Sequence, residues 1–215
     1  MIHDLIKNKQ FIELEKEYKF LARARGKPLE TLEYVILDVE TTGLEPTQHE
    51  LTEIGALKIR GEEIKEIFST LIRPRHPIPP EITQFTGIDD EMVKDSPSVE
   101  EVLPRFIDFI DSSTLIAHNA EFDLSFIKHH LKQISDKELT NEAICTVKLA
   151  RYLLPNLENY KLPTVANHLG IPVENRHRAM GDAEATYQIW IKFLPLLKEK
   201  GIASQHDLDS LISRL

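Results

Sequence analysis

The sequence predicts a mixed α/β domain, with an antiparallel meander and parallel strands in one sheet flanked by helices. Three observations predict it. Short apolar runs of strand-forming composition lie at residues 34–37, 51–60, 63–72 and 114–117. The first three are joined by connections too short to hold a helix, as a meander requires. From residue 98 onward, apolar residues recur at spacings of three and four, the helical period.

Taken in order, residues 2–25 read as one helix, because Phe11, Leu14, Tyr18 and Leu21 form an apolar stripe between charged residues. Gly26-Lys27-Pro28 ends it, since glycine suits the position after a helix and proline cannot continue one. Residues 33–44, EYVILDVETTGL, read as a buried strand whose last residues leave the core at a Thr41-Thr42-Gly43 turn. Two further strands meet at Gly61. The Pro-rich stretch that follows reads as an ordered loop with a helical turn near Glu81. Ser98 opens a helix through Asp111, with Glu101 three residues on completing a capping-box pattern. A strand at 114–117 leads into a helix carrying Phe122, Phe126, Ile127 and Leu131, and a short element at Ala143-Ile144 leads into another over 146–154. Helices over 162–169 and 178–194 follow, with Pro195 expected to bend or end the second, and a small helix over 207–215 closes the chain. The expected organisation is a helical extension at 1–30, one catalytic domain at 31–197 and a helical tail at 198–215.

Composition narrows the class. The chain has 215 residues, 41% hydrophobic and 28% charged, which suits one substantial domain rather than two. Cys145 is the single cysteine, so no intramolecular disulfide forms and a reducing, cytoplasmic location is the expectation. No apolar stretch approaches the roughly 20 residues needed to span a bilayer. A net charge of −9 argues against a protein that coats long duplexes through a basic surface. A site that engages only a strand end, through bound cations, needs few such contacts.

Chemistry concentrates in three clusters at element ends. Asp38 and Glu40, at i and i+2 of a strand, point to the same side. Like charges held so close raise one another's pKa, and a divalent cation relieves them. Asp123 stands in the first turn of a helix within HNAEFD, residues 118–123. His177 and Asp182 stand five apart in HRAMGD, at the start of the long helix. If His177 lies on the loop before that helix, it can fold back toward Asp182. Four acids and one histidine suit two-metal phosphoryl chemistry, with the histidine taking a proton from water near neutral pH. Singly, each residue has a blander reading as a solvated strand end, a first-turn carboxylate or a surface histidine.

DVETTG, HNAEFD and HRAMGD, in this order, closely resemble the three motifs of the DEDDh 3′–5′ exonuclease superfamily, and within it the proofreading, epsilon-type subunits of bacterial DNA polymerase III. The resemblance covers about residues 33–195. It implies a ribonuclease H-like fold and two Mg²⁺ or Mn²⁺ ions held by Asp38, Glu40, Asp123 and Asp182, with Asp38 shared between the ions and His177 the general base. It also implies that Thr41, Thr42, Gly43 and Leu44 border the terminal nucleotide and that His118 and Phe122 flank the scissile phosphate and bases. Glu81 and Thr86 match a loop near the terminal sugar. The implied reaction releases nucleoside 5′-monophosphates from single-stranded or frayed DNA 3′ ends, with a polymerase subunit as partner and no membrane. RNA is the alternative substrate, for a 3′–5′ exoribonuclease of the same superfamily. A reading of another class is a non-catalytic module that binds a polymerase or helicase. The chain departs from the pattern at Cys145, where many relatives have an acid before the threonine, and residues 205–211 match only part of a sliding-clamp peptide, without its closing aromatic.

Overall fold

The computed structural model describes residues 26–215 except 136, 174 and 175. The helix expected over 2–25 and the extension it belongs to lie outside the described residues, apart from 26–30.

A 3₁₀ turn at Leu29–Thr31 leads into β1 (Glu33–Thr41), followed by β2 (Leu51–Arg60) and β3 (Glu63–Leu71). Short helices α1 (Pro80–Thr86) and α2 (Asp90–Val93) precede α3 (Val99–Ile110), then come β4 (Thr114–Ala117) and α4 (Ala120–Ile134). The chain continues through β5 (Ala143–Cys145), α5 (Thr146–Leu153), α6 (Leu162–His168), α7 (Ala179–Glu199) and α8 (Gln205–Ile212). The five strands form one sheet in the order β3-β2-β1-β4-β5. β1 and β2, and β2 and β3, are antiparallel, whereas β4 runs parallel to β1 and β5 parallel to β4. This is the mixed sheet expected. β3 forms one edge, and its exposed, charged residues Glu63, Lys65 and Glu66 discourage pairing with another chain.

Alternation along β1 divides the core in two. Tyr34 and Ile36 point to the face covered by α5, α6, α7 and α8, where Trp190, Phe193 and Leu197 are fully buried. Val35, Leu37 and Val39 point to the opposite face, against Phe106 of α3 and Phe126 of α4. Each such aliphatic side chain contributes about 1.5–3 kcal/mol by leaving water. By the same parity, Asp38 and Glu40 fall on the α7 side.

Ser98 caps α3 and Glu101 bonds back to it, the capping box read from the sequence. Of the two expectations for Pro195, that it bends or ends its helix, the second fails: α7 runs on to Glu199. An internal proline costs about 3 kcal/mol, and Phe193 and Leu197, both at 0% exposure on either side of it, offset that cost. The last helix starts earlier than expected because Ser204, not a later residue, caps it, its hydroxyl accepting from the Asp207 N–H at 3.3 Å. Residues around the start of that helix pair with the segment before β1: Leu29 N–H donates to Ala203 O at 3.1 Å and Gln205 N–H to Lys27 O at 3.0 Å. With Leu208 and Leu211 buried beside Trp190, the C-terminal helix is part of the core of this domain. Among the described residues, no helix is long and apolar enough to cross a membrane.

Candidate active site

The site begins at the end of β1. Asp38 and Glu40 lie on one side of the strand, and Asp182, in the first turn of α7, packs against them. One carboxylate oxygen from each of the three falls within 4.8 Å of the others. Asp123 arrives from the opposite layer: α4 covers the other face, and its carboxylate reaches the strand end, where Oδ1 accepts from Val39 N–H at 3.1 Å. The backbone between the two strand acids therefore anchors the fourth.

Electrostatics of this cluster are unfavourable as they stand. Burial, then the charges of Asp123, Glu40 and Asp182, holds the Asp38 carboxyl well above the usual carboxylate range. Glu40 is pushed up to about 8, by burial first and then by Asp182, Glu53 and Asp123, with Arg178 pulling the other way. Burial also raises Asp123 and Asp182. Asp182 Oδ1 is buried with no hydrogen-bond partner, although its Oδ2 accepts from His177 N–H at 3.2 Å. A buried carboxylate oxygen left unpaired among other acids is costly. The donor set, all hard oxygens converging on one point, fits a divalent cation.

His177 lies just before α7, on the loop, as the sequence allowed. It adopts a left-handed backbone, φ 59°, which turns its N–H toward Asp182. Burial, then the neighbouring Arg176, lowers its pKa, so the imidazole is neutral at pH 7 and can accept a proton. Its ring rests against Phe85, with centroids 3.9 Å apart. Both line a cleft of about 570 Å³ that also includes Asp182, His118 and Tyr160.

The turn after β1 is held by its own polar groups. Thr42 N–H donates to Glu50 O at 2.8 Å, Glu50 N–H returns a bond to Thr42 Oγ1 at 2.9 Å, and Thr41 Oγ1 donates to Gly43 O at 2.6 Å. A Cβ on Gly43 would collide with the His49 ring, so any larger residue there requires that ring to move. Leu44 then projects at 76% exposure beside the acids' strand.

His118 is firmly held. Its Nε2 donates to Tyr160 O at 2.9 Å, which leaves Nδ1, 2.9 Å from Thr146 Oγ1, as an acceptor in the neutral ring. Burial pushes its pKa down to about 4. Phe122 is half-buried against the α3–α4 core, 5.1 Å from Phe126 between ring centroids. Thr86 is buried, with its hydroxyl donating to Ile82 O at 3.0 Å and accepting from Ile88 N–H at 3.1 Å, so it braces the end of α1. Glu81 is exposed in the first turn of the same helix. From that loop it is Phe85 that reaches the cleft. Cys145 is half-buried at the end of β5.

Besides Phe85, the sequence alone did not mark Glu53, Gly55 or Arg178. Glu53 of β2 lies directly opposite Glu40, and Gly55 opposite Asp38. Glu53 accepts from Arg178 Nε at 3.1 Å, Arg178 Nη2 at 2.8 Å and Ala179 N–H at 2.9 Å, so it seats the N-terminus of α7 on the sheet. At Gly55 a Cβ would stand 2.5 Å from the Ala179 carbonyl carbon, so only glycine admits α7 this close. An acid and a glycine inside a buried strand were visible signals; the cross-strand register that gives them meaning was not.

A family model described as exonuclease, RNase_T, matches residues 35–190. A PolC-type DNA polymerase III of Caldanaerobacter subterraneus subsp. tengcongensis is 44% identical over 180 residues, covering 84% of this chain and 13% of that protein. The chain thus spans only about an eighth of the PolC-type relatives it matches. A DNA polymerase III epsilon subunit of Aquifex aeolicus is 37% identical over 179 residues, covering 83% of this chain and 89% of that one. Among solved structures, exonuclease X in complex with 5′-overhanging duplex DNA superposes with a TM-score of 0.66 at 29% identity, covering 82% of this chain and 98% of that one. Escherichia coli exonuclease I bound to a dT13 oligonucleotide has a TM-score of 0.69 over 78% of this chain and 42% of that one; at 17% identity it speaks for the fold alone. With the family model spanning most of the domain and the epsilon relative matched along nearly its whole length, the chain belongs to this exonuclease family.

Proposed function

We propose that the protein is a 3′–5′ exonuclease that removes nucleoside 5′-monophosphates from single-stranded or frayed DNA ends, working beside a DNA polymerase in the cytoplasm. The observation that carries this reading is the convergence of Asp38, Glu40 and Asp182, with Asp123 bonded to the backbone between the first two. These four acids would hold two divalent cations, Mg²⁺ or Mn²⁺ by the preference of carboxylate oxygens. When bound, the cations offset the acids' charge and polarise the phosphodiester and the attacking water.

The chain's own groups do the rest. His177, neutral at pH 7 and placed by its bond to Asp182, takes the proton from the water. The rigid turn at Thr41, Thr42 and Gly43 presents backbone to the terminal sugar, and Leu44 packs against its base. Phe122 and the held ring of His118 shape the walls around the phosphate. Thr86 fixes the loop that brings Phe85 over His177, and Glu81 lies at the outer end of that loop. Glu53 and Arg178 keep Asp182 and His177 in register with β1.

The test is degradation of a 5′-labelled single-stranded DNA and its RNA twin with Mg²⁺ or Mn²⁺, wild type beside Asp182→Ala. The expected result is a ladder shortening from the 3′ end, faster on DNA and absent from the variant. A faster RNA ladder would make the protein an exoribonuclease, and no ladder from a folded, metal-loaded wild type would refute the reading.

A further inference from the structure

Two clefts adjoin on the α5 side of the acids and share Arg151. The first, about 570 Å³, runs from Asp182 and His177 past Tyr160 and Lys161 to Arg151. The second, about 250 Å³, continues from Arg151 to Lys148 and Tyr152. Cations and aromatic rings alternate along this line. The Arg151 guanidinium lies 5.7 Å from the Tyr160 ring centroid, and the Lys200 ammonium 5.2 Å from that of Tyr152. In a chain with 35 acids and 26 basic residues, Asp182 is the one acid among the described residues lining either cleft.

Topology gives the line a direction. The Thr41–Leu44 turn leaves β1 toward β2, whereas α5 follows β5 at the far edge of the sheet. The two clefts therefore lie on the α5 side of the acids, away from the side on which that turn leaves β1.

We infer that Arg151, Lys148 and Lys200, interleaved with Tyr160 and Tyr152, form a track for the 5′-ward part of a single-stranded nucleic acid whose 3′ end lies at the acids. The inference rests on the exonuclease reading and extends it to the internal nucleotides. The cations meet phosphates, and the rings offer faces on which bases of any sequence stack, the combination that holds single strands without sequence preference. It also reconciles a net charge of −9 with a polyanionic substrate, because the basic residues that matter are gathered on one path. Neither a phosphate nor a base plane reports the sugar, so the track holds DNA and RNA alike.

The probe is a fluorescein-labelled 12-nucleotide oligo(dT) and its ribo-counterpart, titrated by anisotropy in EDTA over a range of KCl, with the probes checked for integrity on a gel. Each phosphate contact on a single strand contributes about −0.7 to the slope of log K against log salt. Lys148→Gln/Arg151→Gln should therefore lower the slope's magnitude by about 1.4 and weaken binding about tenfold near 0.15 M salt. Lys200→Gln, just past the end of α7, should take away about 0.7 by itself. All three side chains are exposed, and melting curves check that the variants fold. The control is Arg60→Gln/Lys65→Gln on the β2–β3 hairpin, which removes the same charge far from the track and should leave the slope as in wild type. Absence of binding by the wild type, an unchanged slope in the track variants, an equal loss in the control, or a loss confined to one sugar would each overturn the inference. The ladder assay reads the exonuclease activity separately, so failure of that reading is distinguishable from failure of the track.

Discussion

Replacing Glu40 by Gln should stabilise the metal-free protein while abolishing turnover. Glu40 is 8% exposed, and its pKa is pushed from 4.5 up to about 8 by burial and by three neighbouring acids. Because the folded value lies above the unfolded one, the group's contribution is intact below about pH 4.5 and is lost as pH rises through 8. Taking 1.36 kcal/mol per tenfold in proton activity, the penalty at pH 7 reaches about 3 kcal/mol, as an upper figure for a site that water can enter. Glutamine keeps the shape and cannot ionise. At roughly 2–4 °C per kcal/mol for a domain of this size, the melting temperature in EDTA should rise by several degrees, up to roughly 10 °C. The variant's melting temperature should also fall less between pH 5 and pH 8 than that of the wild type. Added Mg²⁺ should then raise the wild type more than the variant, since only the wild type has the full set of charges for a cation to offset. Differential scanning fluorimetry across pH, with and without EDTA, reads all three. A variant less stable than wild type, with the same pH slope, would refute the account of strained acids awaiting a cation.

Other expectations follow from the seat of α7. His177→Asn, chosen because asparagine tolerates the left-handed backbone at φ 59°, should lower kcat by about 10²–10⁴ with little change in KM or metal requirement; equal losses in all would make the imidazole a support and not a base. Glu53→Gln removes the charge that Arg178 grips, and should cost about 1.5–3 kcal/mol in denaturant melts and raise the Mg²⁺ concentration for half-maximal rate, with excess metal restoring part of the rate. Gly55→Ala places a Cβ 2.5 Å from the Ala179 carbonyl carbon, so about 1–3 kcal/mol of stability should be lost and Asp182 displaced, seen as weaker metal binding by calorimetry. Unchanged metal binding in both variants would show that α7 finds its place without them.

Local pattern determined much of this protein. Apolar alternation and turn residues marked the strands, and Ser98 with Glu101 marked a helix start, because those signals act within a few residues. Asp38 and Glu40 were legible as a pair because strand parity alone puts i and i+2 on one side. The motifs also named Asp123, Asp182 and His177. Tertiary structure decided what sequence spacing does not carry. Asp123 and Asp182 approach from opposite faces of the sheet, and they meet at the end of β1 only because that strand is central. Glu53 and Gly55 acquire their roles from a register that sets them opposite Glu40 and Asp38. Phe85, not Glu81 or Thr86, reaches the cleft, because one turn of helix turns neighbouring residues to different sides. Pro195 stays helical because buried neighbours on both sides outweigh its local preference. Sequence thus determined which residues carry charge and how each segment folds locally; long-range packing decided which charges share a site, because their interaction depends on distance in space and not along the chain.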